Sequence, residues 1–447
     1  MREHAADVVV VGAGPGGLAA AVTAAECGRS VLLVDDNAAP GGQIWRASFD
    51  HGMAAPARAW HARAERAGVQ RLSGTRVVDA RDARTLIAAG DAGMTILRAN
   101  RIVLALGASE RFLPFPGWTL PGVFGVGGLQ ALAKGGFDLR GAVIAIAGSG
   151  PLLLAVAASL RARGAQIAGI FEQAPLARVR RFGIGLAARP RKLAQGLALL
   201  GALRGIERHH DAWPLHAEPA FSGLRVTFRT PRGNRVLPVT ALAVGFGLVP
   251  NTDVAALLGC RMKDERVVVD ELTCTTIDGV HAVGETIGIA GVDAAIADGI
   301  TAGLVCAGRD DEARRAARRR FRERRFAAAL ERTYALRDEL RTLATGDTLV
   351  CRCEDVPLAR LADCMDARDA KLRTRCGMGP CQGRVCGPAL GFLRGWPRDD
   401  VRPPLIPLTF SAWLELGTTG PRGRTDEMAR SDAGDHDADR GGRTHRS

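Results

Sequence analysis

The sequence predicts an α/β fold made of two nested parallel-sheet domains, followed by a small, mainly helical domain. An apolar strand, a glycine-rich turn and an alanine-rich helix follow one another from residue 7, and the same order returns from residue 143. Six of the ten cysteines lie between residues 351 and 386. A chain of 447 residues exceeds what one hydrophobic core usually organises, so more than one domain is expected.

The first unit carries the residues of a dinucleotide site. The strand DVVVV leads directly into Gly12, Gly14 and Gly17, which form the pattern G-x-G-x-x-G in front of a helix. The first glycine permits a tight turn, the second lets the backbone approach a pyrophosphate, and the third lets the helix pack closely on the strand. The next strand ends at Asp35, where an acid accepts the ribose hydroxyls, and Asp36 is a less favoured substitute.

Two later segments resemble FAD-dependent flavoproteins of the pyridine nucleotide-disulfide oxidoreductase type. PGGQIWR at 40–46 is similar to the loop after their second strand, and TCTTIDGVHAVGE at 273–285 is similar to their second FAD signature. This chain has a glutamate where that signature has an aspartate. Residues 291–306 then read as a helix whose N-terminus faces the flavin. The resemblance implies that FAD is also contacted by Gly41, Gly42, Gln43, Gly284 and Glu285.

The same resemblance implies two nested Rossmann-like FAD/NAD(P)-binding domains of the disulfide-reductase type, the second inserted into the first. We expect an FAD domain in two parts, a second dinucleotide-binding domain, a basic helical linker, a cysteine-cluster domain and a disordered tail. Their respective residues are 1–124 with 241–308, then 125–240, 309–345, 346–416 and 417–447.

The second glycine turn is degenerate. Gly148 and Gly150 are present, but Leu153 stands where the third glycine belongs, and its side chain should push the helix away from the strand. Glu172 follows the next strand at the spacing of a ribose acid and disfavours a 2′-phosphate, which indicates NAD or another adenine nucleotide if the site is filled. The sequence leaves open whether this domain binds a nucleotide or is structural.

The C-terminal cysteines indicate a metal centre, because zinc and iron–sulfur sites need several soft thiolate ligands. CRCEDV at 351–356 and GMGPCQGRVCG at 377–387 resemble the small [2Fe-2S] domain named after bacterioferritin-associated ferredoxin. The version joined to FAD subunits of opine and amino-acid dehydrogenases and hydrogen cyanide synthase is most similar. The resemblance implies the ligands Cys351, Cys353, Cys381 and Cys386, with Cys376 as a substitute. Structural zinc is the alternative.

The formal net charge is +13, and much of the excess lies in ARRAARRRFRERR at 313–325. This run indicates a solvated helix or a docking surface for an acidic partner, and no nucleic-acid recognition motif accompanies it. Gly-Ser-Gly-Pro interrupts the uncharged stretch 141–160, which argues against a membrane span. We expect a cytoplasmic protein, with contact at the inner membrane face as an alternative.

The resemblance implies an electron-transfer subunit of a heteromeric dehydrogenase. Residues 1–310 contain no closely spaced redox cysteine pair, and no catalytic acid–base group stands out. A partner of the FAD-dependent amino-acid oxidase type, with or without a further small subunit, would oxidise an opine-like or amino-acid C–N substrate. Electrons would pass through FAD and the [2Fe-2S] cluster to a quinone or another carrier. The alternatives are a self-contained NADH-dependent reductase and a structural assembly subunit.

Overall fold

The computed structural model of the chain describes residues 1–46, 52–397 and 401–417. The predicted disordered tail, apart from its first residue, lies outside this part. The strands are β1 (Arg2–Val11), β2 (Val31–Val34), β3 (Gln70–Leu72), β4 (Thr75–Asp82), β5 (Thr85–Gly90), β6 (Gly93–Leu104), β7 (Ala108–Glu110), β8 (Val123–Gly125), β9 (Val143–Gly148), β10 (Gln166–Glu172), β11 (Arg208–His210), β12 (Trp213–Ala220), β13 (Gly223–Thr230), β14 (Gly233–Val239), β15 (Ala241–Gly245), β16 (Leu248–Pro250), β17 (Met262–Lys263), β18 (Arg266–Val267), β19 (Val280–Ala282), β20 (Leu349–Cys351) and β21 (Val356–Pro357). The helices are α1 (Pro15–Glu26), α2 (Ala55–Arg66), α3 (Val126–Lys134), α4 (Leu152–Arg161), α5 (Leu176–Gly185), α6 (Pro190–Ala202), α7 (Asp253–Leu257), α8 (Val292–Cys306), α9 (Asp310–Thr333), α10 (Ala367–Thr374), α11 (Cys386–Arg394) and α12 (Phe410–Gly417).

The first domain is built on a seven-stranded sheet in the order β3-β2-β1-β6-β5-β4, with β19 also paired to β6. Strands β1, β2, β3, β6 and β19 run parallel, and the apolar runs of β1 and β2 are buried, as expected when both faces of a parallel sheet are covered. Helices α1 and α8 pack closely, since a Cβ on Gly299 would lie 2.1 Å from the carbonyl oxygen of Gly16. The return of β19 shows that the chain leaves this sheet and later completes it.

The second domain has a parallel sheet in the order β11-β10-β9-β15-β8 and an antiparallel layer of β12, β13 and β14. The expected boundaries at residues 124/125 and 240/241 cut through this sheet. Strand β8 begins at Val123, and β15 pairs with β9 through Gly245. The second sheet is therefore a few residues longer at both ends than the sequence indicated, because both segments are bound to it by main-chain hydrogen bonds.

The basic segment forms one long helix, α9, which packs along α8. Arg320 and Arg324 both bond to the fully buried carboxylate of Asp298. The interpretation of this segment as a solvated helix is thus wrong for one of its faces. Within the described ranges, no helix is both long and apolar enough to cross a bilayer.

The C-terminal domain is a β20–β21 hairpin followed by α10 and α11. Its small core surrounds the cysteines and contains Val350, Val356, Leu361, Ala370 and Leu390. Its contacts with the second domain include a hydrogen bond from Trp118 Nε1 to the carbonyl oxygen of Leu349, at 2.6 Å.

Candidate cofactor sites

The first glycine turn has no room for side chains at two of its three glycines. Gly12 has φ +105°, and a Cβ there would lie 2.2 Å from the carbonyl oxygen of Ala105. A Cβ on Gly17 would lie 1.8 Å from the carbonyl oxygen of Gly12. Gly14, which precedes α1, instead faces open space. A phosphate group fits this gap because the free N–H groups at the start of α1 attract negative charge.

Asp35, at the end of β2, turns toward the glycine turn. Its Oδ2 accepts a hydrogen bond from the backbone N–H of Ala13 at 2.5 Å, and its Oδ1 accepts one from the N–H of Asn37 at 2.7 Å. Asp36 points to solvent and pairs with Arg76 at 2.6 Å. The geometry therefore favours Asp35 over Asp36 as the acid at this site.

The loop after β2 lies against the same turn. The N–H of Gly41 donates to the carbonyl oxygen of Ala13 at 2.8 Å. Gly42 has φ +58°, and a Cβ on it would lie 3.0 Å from the Cα of Gly14. Gln43 is exposed in this loop. The two glycines thus allow the loop to approach the predicted pyrophosphate position.

Gly284 and Glu285 follow β19 in a short 3₁₀ helix, Gly284–Ile287, just before α8. Gly284 has φ +69°, and its N–H donates to Asp298 Oδ2 at 3.2 Å. The Thr286 hydroxyl accepts a hydrogen bond from the N–H of Leu106 at 2.9 Å, which joins this turn to the end of β6. Burial raises the pKa of Glu285, and the charge of Arg324 partly opposes that rise.

Arg324 of α9 bonds to this turn, a role that the sequence pattern did not reveal. Its guanidinium donates to the carbonyl oxygens of Gly284 and Gly288, each at 2.7 Å, and pairs with Asp298. The Arg-rich run hides this role in the sequence, because nothing local separates Arg324 from its exposed neighbours. The basic helix thus helps to fix the turn at Gly284.

The second glycine turn resembles the first in its backbone but not in its surroundings. A Cβ on Gly148 would lie 1.9 Å from the carbonyl oxygen of Gly245, so this glycine is also required. Glu172 accepts hydrogen bonds from the N–H groups of Gly150 at 2.7 Å and Ala174 at 2.8 Å, and burial raises its pKa to about 7. Leu153 packs in the domain core, and α4 begins one residue later relative to its turn than α1 does.

Residues 334–337, which we name the connector, lie across the carboxyl ends of three strands of the second sheet. Ser149, Gln173 and Asp211 directly follow β9, β10 and β11. The Ser149 hydroxyl donates to the carbonyl oxygen of Tyr334 at 2.8 Å, and Gln173 Nε2 donates to the Ser149 hydroxyl at 2.8 Å. Asp211 pairs with Arg337 at 2.5 Å. Ligands of such sheets bind at this edge, which the chain itself occupies here.

Three buried cysteines converge from different elements of the C-terminal domain. Cys351 ends β20, Cys376 follows α10, and Cys386 begins α11. Their sulfur atoms all lie within 4.8 Å of one another. Cys376 thus lies in this buried trio, whereas the ligand set implied by the resemblance includes it only as a substitute. Cys353 and Cys381 are half-buried and contact each other.

The electrostatics of the three sulfurs suit a soft cation. Hydrogen bonds from Cys376 and Cys386 hold the pKa of Cys351 far below its usual range, and N–H groups of Gly377 and Glu354 also donate to it. The hydrogen bond to Cys351 raises the pKa of Cys376 to about 12. A bound metal would favour the ionised form of all three thiols. The donor set fits zinc or an iron–sulfur cluster.

The single cysteines of the first domain lack this character. Cys260 and Cys306 are buried among apolar side chains, and burial raises the pKa of Cys306 to about 12. Burial likewise raises the pKa of Cys274 to about 11. These thiols stay protonated at neutral pH and are poor nucleophiles.

The profile of the family described as pyridine nucleotide-disulphide oxidoreductase matches residues 6–299. The chain belongs to this family. It is an FAD-dependent oxidoreductase, and the prediction of a disulfide-reductase-like α/β fold is confirmed. The residues at the first turn fit FAD, since they leave space at the helix N-terminus and present a buried acid beside it.

Relatives of known name cover nearly the whole chain. An opine oxidase subunit of Rhizobium meliloti (strain 1021) is 32% identical over 92% of this chain and 98% of its own. Hydrogen cyanide synthase subunit HcnB of Pseudomonas aeruginosa is 33% identical over the same shares. L-proline dehydrogenase from P. horikoshii has a similar fold, with TM-score 0.59 and 18% identity over 92% of this chain and 80% of that one. The chain is thus similar to oxidoreductase subunits along nearly its full length.

Proposed function

We propose that this chain is the electron-transferring subunit of a heteromeric dehydrogenase that oxidises an amino-acid or opine-type C–N bond. The observation that carries the proposal is the connector, which occupies the edge of the second sheet where a dinucleotide would enter. Electrons would then reach this chain from a partner rather than from NADH. The relatives, which are named as subunits of opine oxidase and hydrogen cyanide synthase, support the same assignment.

The roles of the first domain follow from its contacts. The N–H groups at the start of α1 bind the FAD pyrophosphate, and Asp35 accepts the adenosine ribose hydroxyls. Arg324 and Asp298 fix the turn at Gly284, and the N-terminus of α8 favours negative charge on the ring system. Bound FAD would supply the capacity to accept two electrons together and to release them one at a time.

The cysteine centre is proposed to hold a [2Fe-2S] cluster on four of its five neighbouring thiolates. Cys351 and Cys386 are common to the buried trio and to the ligand set implied by the resemblance. We expect Cys376→Ser to lower the iron content and to change the visible and electron paramagnetic resonance spectra of the cluster. Cys364→Ser is the matched control, since Cys364 lies outside the trio and should leave both unchanged. Zinc in place of iron in the purified protein would contradict the proposal.

The electron source is tested by mixing the isolated, FAD-loaded chain with NADH in a stopped-flow instrument. We expect the flavin absorbance to stay constant, because the connector closes the second edge. Rapid bleaching would instead support the alternative, a self-contained NADH-dependent reductase. An adenine nucleotide that binds beside Glu172 without bleaching the flavin would still exclude NADH as the electron source, but it would show that the connector does not close this edge.

The partner is proposed to be an FAD-dependent amino-acid oxidase-like subunit, and the final acceptor a quinone or another carrier. Oxidation of a C–N substrate with reduction of a quinone analogue should then require both chains. If this chain alone oxidised the substrate, the division of labour would be wrong. If the pair assembled without electron transfer to this chain, the second alternative, a structural assembly subunit, would replace it.

A further inference from the structure

The outward side of α9 carries positive charge that the chain does not balance. Five exposed arginines of α9, which we name the arginine face, form no ion pair within the described residues: Arg314, Arg315, Arg318, Arg319 and Arg325. Arg322, which is also exposed, pairs with Glu323 of the same helix. Like charges four residues apart on a helix are mutually destabilising. An acidic surface placed against this face would relieve that repulsion.

Two neighbouring helices extend the surface with apolar side chains. Neither α5 nor α6 contains a single buried residue, although α6 has four leucines and α5 carries Leu176, Phe182 and Ile184. Ile184 is 77% exposed, Leu197 is 58% exposed, and Phe321 on α9 is 66% exposed. Large exposed apolar side chains of this kind mark interaction sites when they cluster.

Contacts between these helices make them one continuous body. Phe182 of α5 packs against Phe326 of α9 with ring centres 5.8 Å apart. Arg189, just before α6, pairs with Glu323 at 3.1 Å and lies over the ring of Phe326. Lys192 pairs with Asp293 near the start of α8 at 2.6 Å. The exposed side chains of α5, α6 and α9 thus belong to a surface that is held rigidly on the FAD domain.

The surface lies close to the FAD site. On the inward side of α9, Arg324 bonds to the Gly284 turn, so only the width of one helix, ~10 Å, separates this turn from the arginine face. A protein seated on the face would therefore bring a redox group near the flavin.

We propose that α5, α6 and the arginine face of α9 form the docking surface for the acidic partner subunit. This inference rests on the proposed function, from which the partner comes. Arginines interspersed with exposed apolar side chains are typical of protein interfaces, whereas contacts to a phosphate backbone are mainly polar. The charged and apolar side chains of this surface are also spread over three helices, whereas a membrane surface is typically bound by one amphipathic helix.

The test begins with the full chain, tagged and purified from its native host. A co-purifying subunit is accepted as the partner only if it carries its own FAD and if the pair oxidises a C–N substrate. Failure to find such a subunit would contradict the proposed function itself. With the pair in hand, the docking inference is tested separately.

Amide hydrogen exchange of the holo-complex against the isolated holo-chain should show protection at 176–202 and 310–333. The double variant Arg318→Glu/Arg319→Glu should weaken assembly by about a hundredfold, because like charges across an interface are strongly unfavourable. Phe321→Ser should weaken assembly as well. Arg232→Glu and Phe221→Ser are the matched controls, since both side chains are exposed on the β12–β14 layer.

Two results would overturn the inference. One is protection confined to other surfaces, with the arginine variants assembling normally at unchanged FAD content. The other is unchanged assembly together with lost binding to vesicles of phosphatidylserine and phosphatidylcholine, which would identify the surface as membrane-facing.

Discussion

The two glycine turns of this chain have similar backbones but differ in the chain segment that lies beside them. The first position of each turn must be glycine, because a Cβ would lie 2.2 Å from a carbonyl oxygen at Gly12 and 1.9 Å from one at Gly148. At each turn an acidic side chain also accepts a hydrogen bond from a backbone N–H of the turn. The second glycine, Gly14 or Gly150, faces open space at both turns, but at the second turn the connector lies across the neighbouring strand ends. The glycine pattern therefore reports the shape of a turn, and the neighbouring chain decides whether a ligand can reach it.

The largest effect is expected when the first turn is given the leucine of the second. In Gly17→Leu, even the first side-chain atom would lie 1.8 Å from the carbonyl oxygen of Gly12, so α1 must shift away from the pyrophosphate position. If the overpacking of about 1–3 kcal/mol falls on the binding conformation, it corresponds to roughly a five- to 150-fold loss of FAD affinity. The ratio of flavin to protein absorbance in the purified chain measures this loss.

Leu153→Ala is the control for Gly17→Leu. It removes a buried side chain from the second domain and should cost about 2–5 kcal/mol of stability without lowering FAD affinity. Equal loss of FAD in both variants would mean that the first turn is not the specific binding element.

A second effect concerns pH. Because burial raises the pKa of Glu172 from 4.5 to about 7, the folded chain binds a proton that the unfolded chain has released between these values. The contribution of Glu172 to stability is thus fully present below pH 4.5 and declines as pH rises to about 7, by on the order of 3 kcal/mol. Glu172→Gln should flatten this part of the stability profile, as measured by denaturant unfolding at several pH values. A profile identical to that of the unaltered chain would show that Glu172 is ionised when folded.

Removal of the hydrogen bond between Ser149 and the connector should give the smallest effect. Ser149→Ala deletes the bond to Tyr334 and an acceptor for Gln173, which together should cost about 1–2 kcal/mol. Hydrogen exchange at residues 334–337 should become faster. Ser222→Ala, at an exposed turn, is the control. If exchange at the connector did not change, Ser149 would not be what holds it on the sheet edge.

The sequence predicted what local chemistry determines. The positions of Gly12, Gly17 and Asp35 could be predicted from the strand–turn–helix order, because each of them contacts residues of that same unit. The connector could not be predicted, since its contacts join residues more than 120 positions apart. Arg324 likewise depends on how α9 rests on α8.

The cysteines and the domain boundaries show the same limit. The resemblance implied that Cys351 and Cys386 share one centre, but the place of Cys376 beside them depends on the fold of the loop after α10. The boundary after residue 240 was expected from the resemblance, whereas the hydrogen bonds of β15 decide which sheet this strand joins.

The nested order of the chain also has a consequence for its synthesis. The proposed FAD site draws on Gly12 in the first part of the chain, on Gly284 after the inserted domain, and on Arg324 later still. A ribosome would have released most of the chain before these parts could meet, so the second domain is free to fold while the first is still incomplete. Cofactor insertion would then be a late event, which follows the folding of a domain that contributes no residue to the FAD site described above.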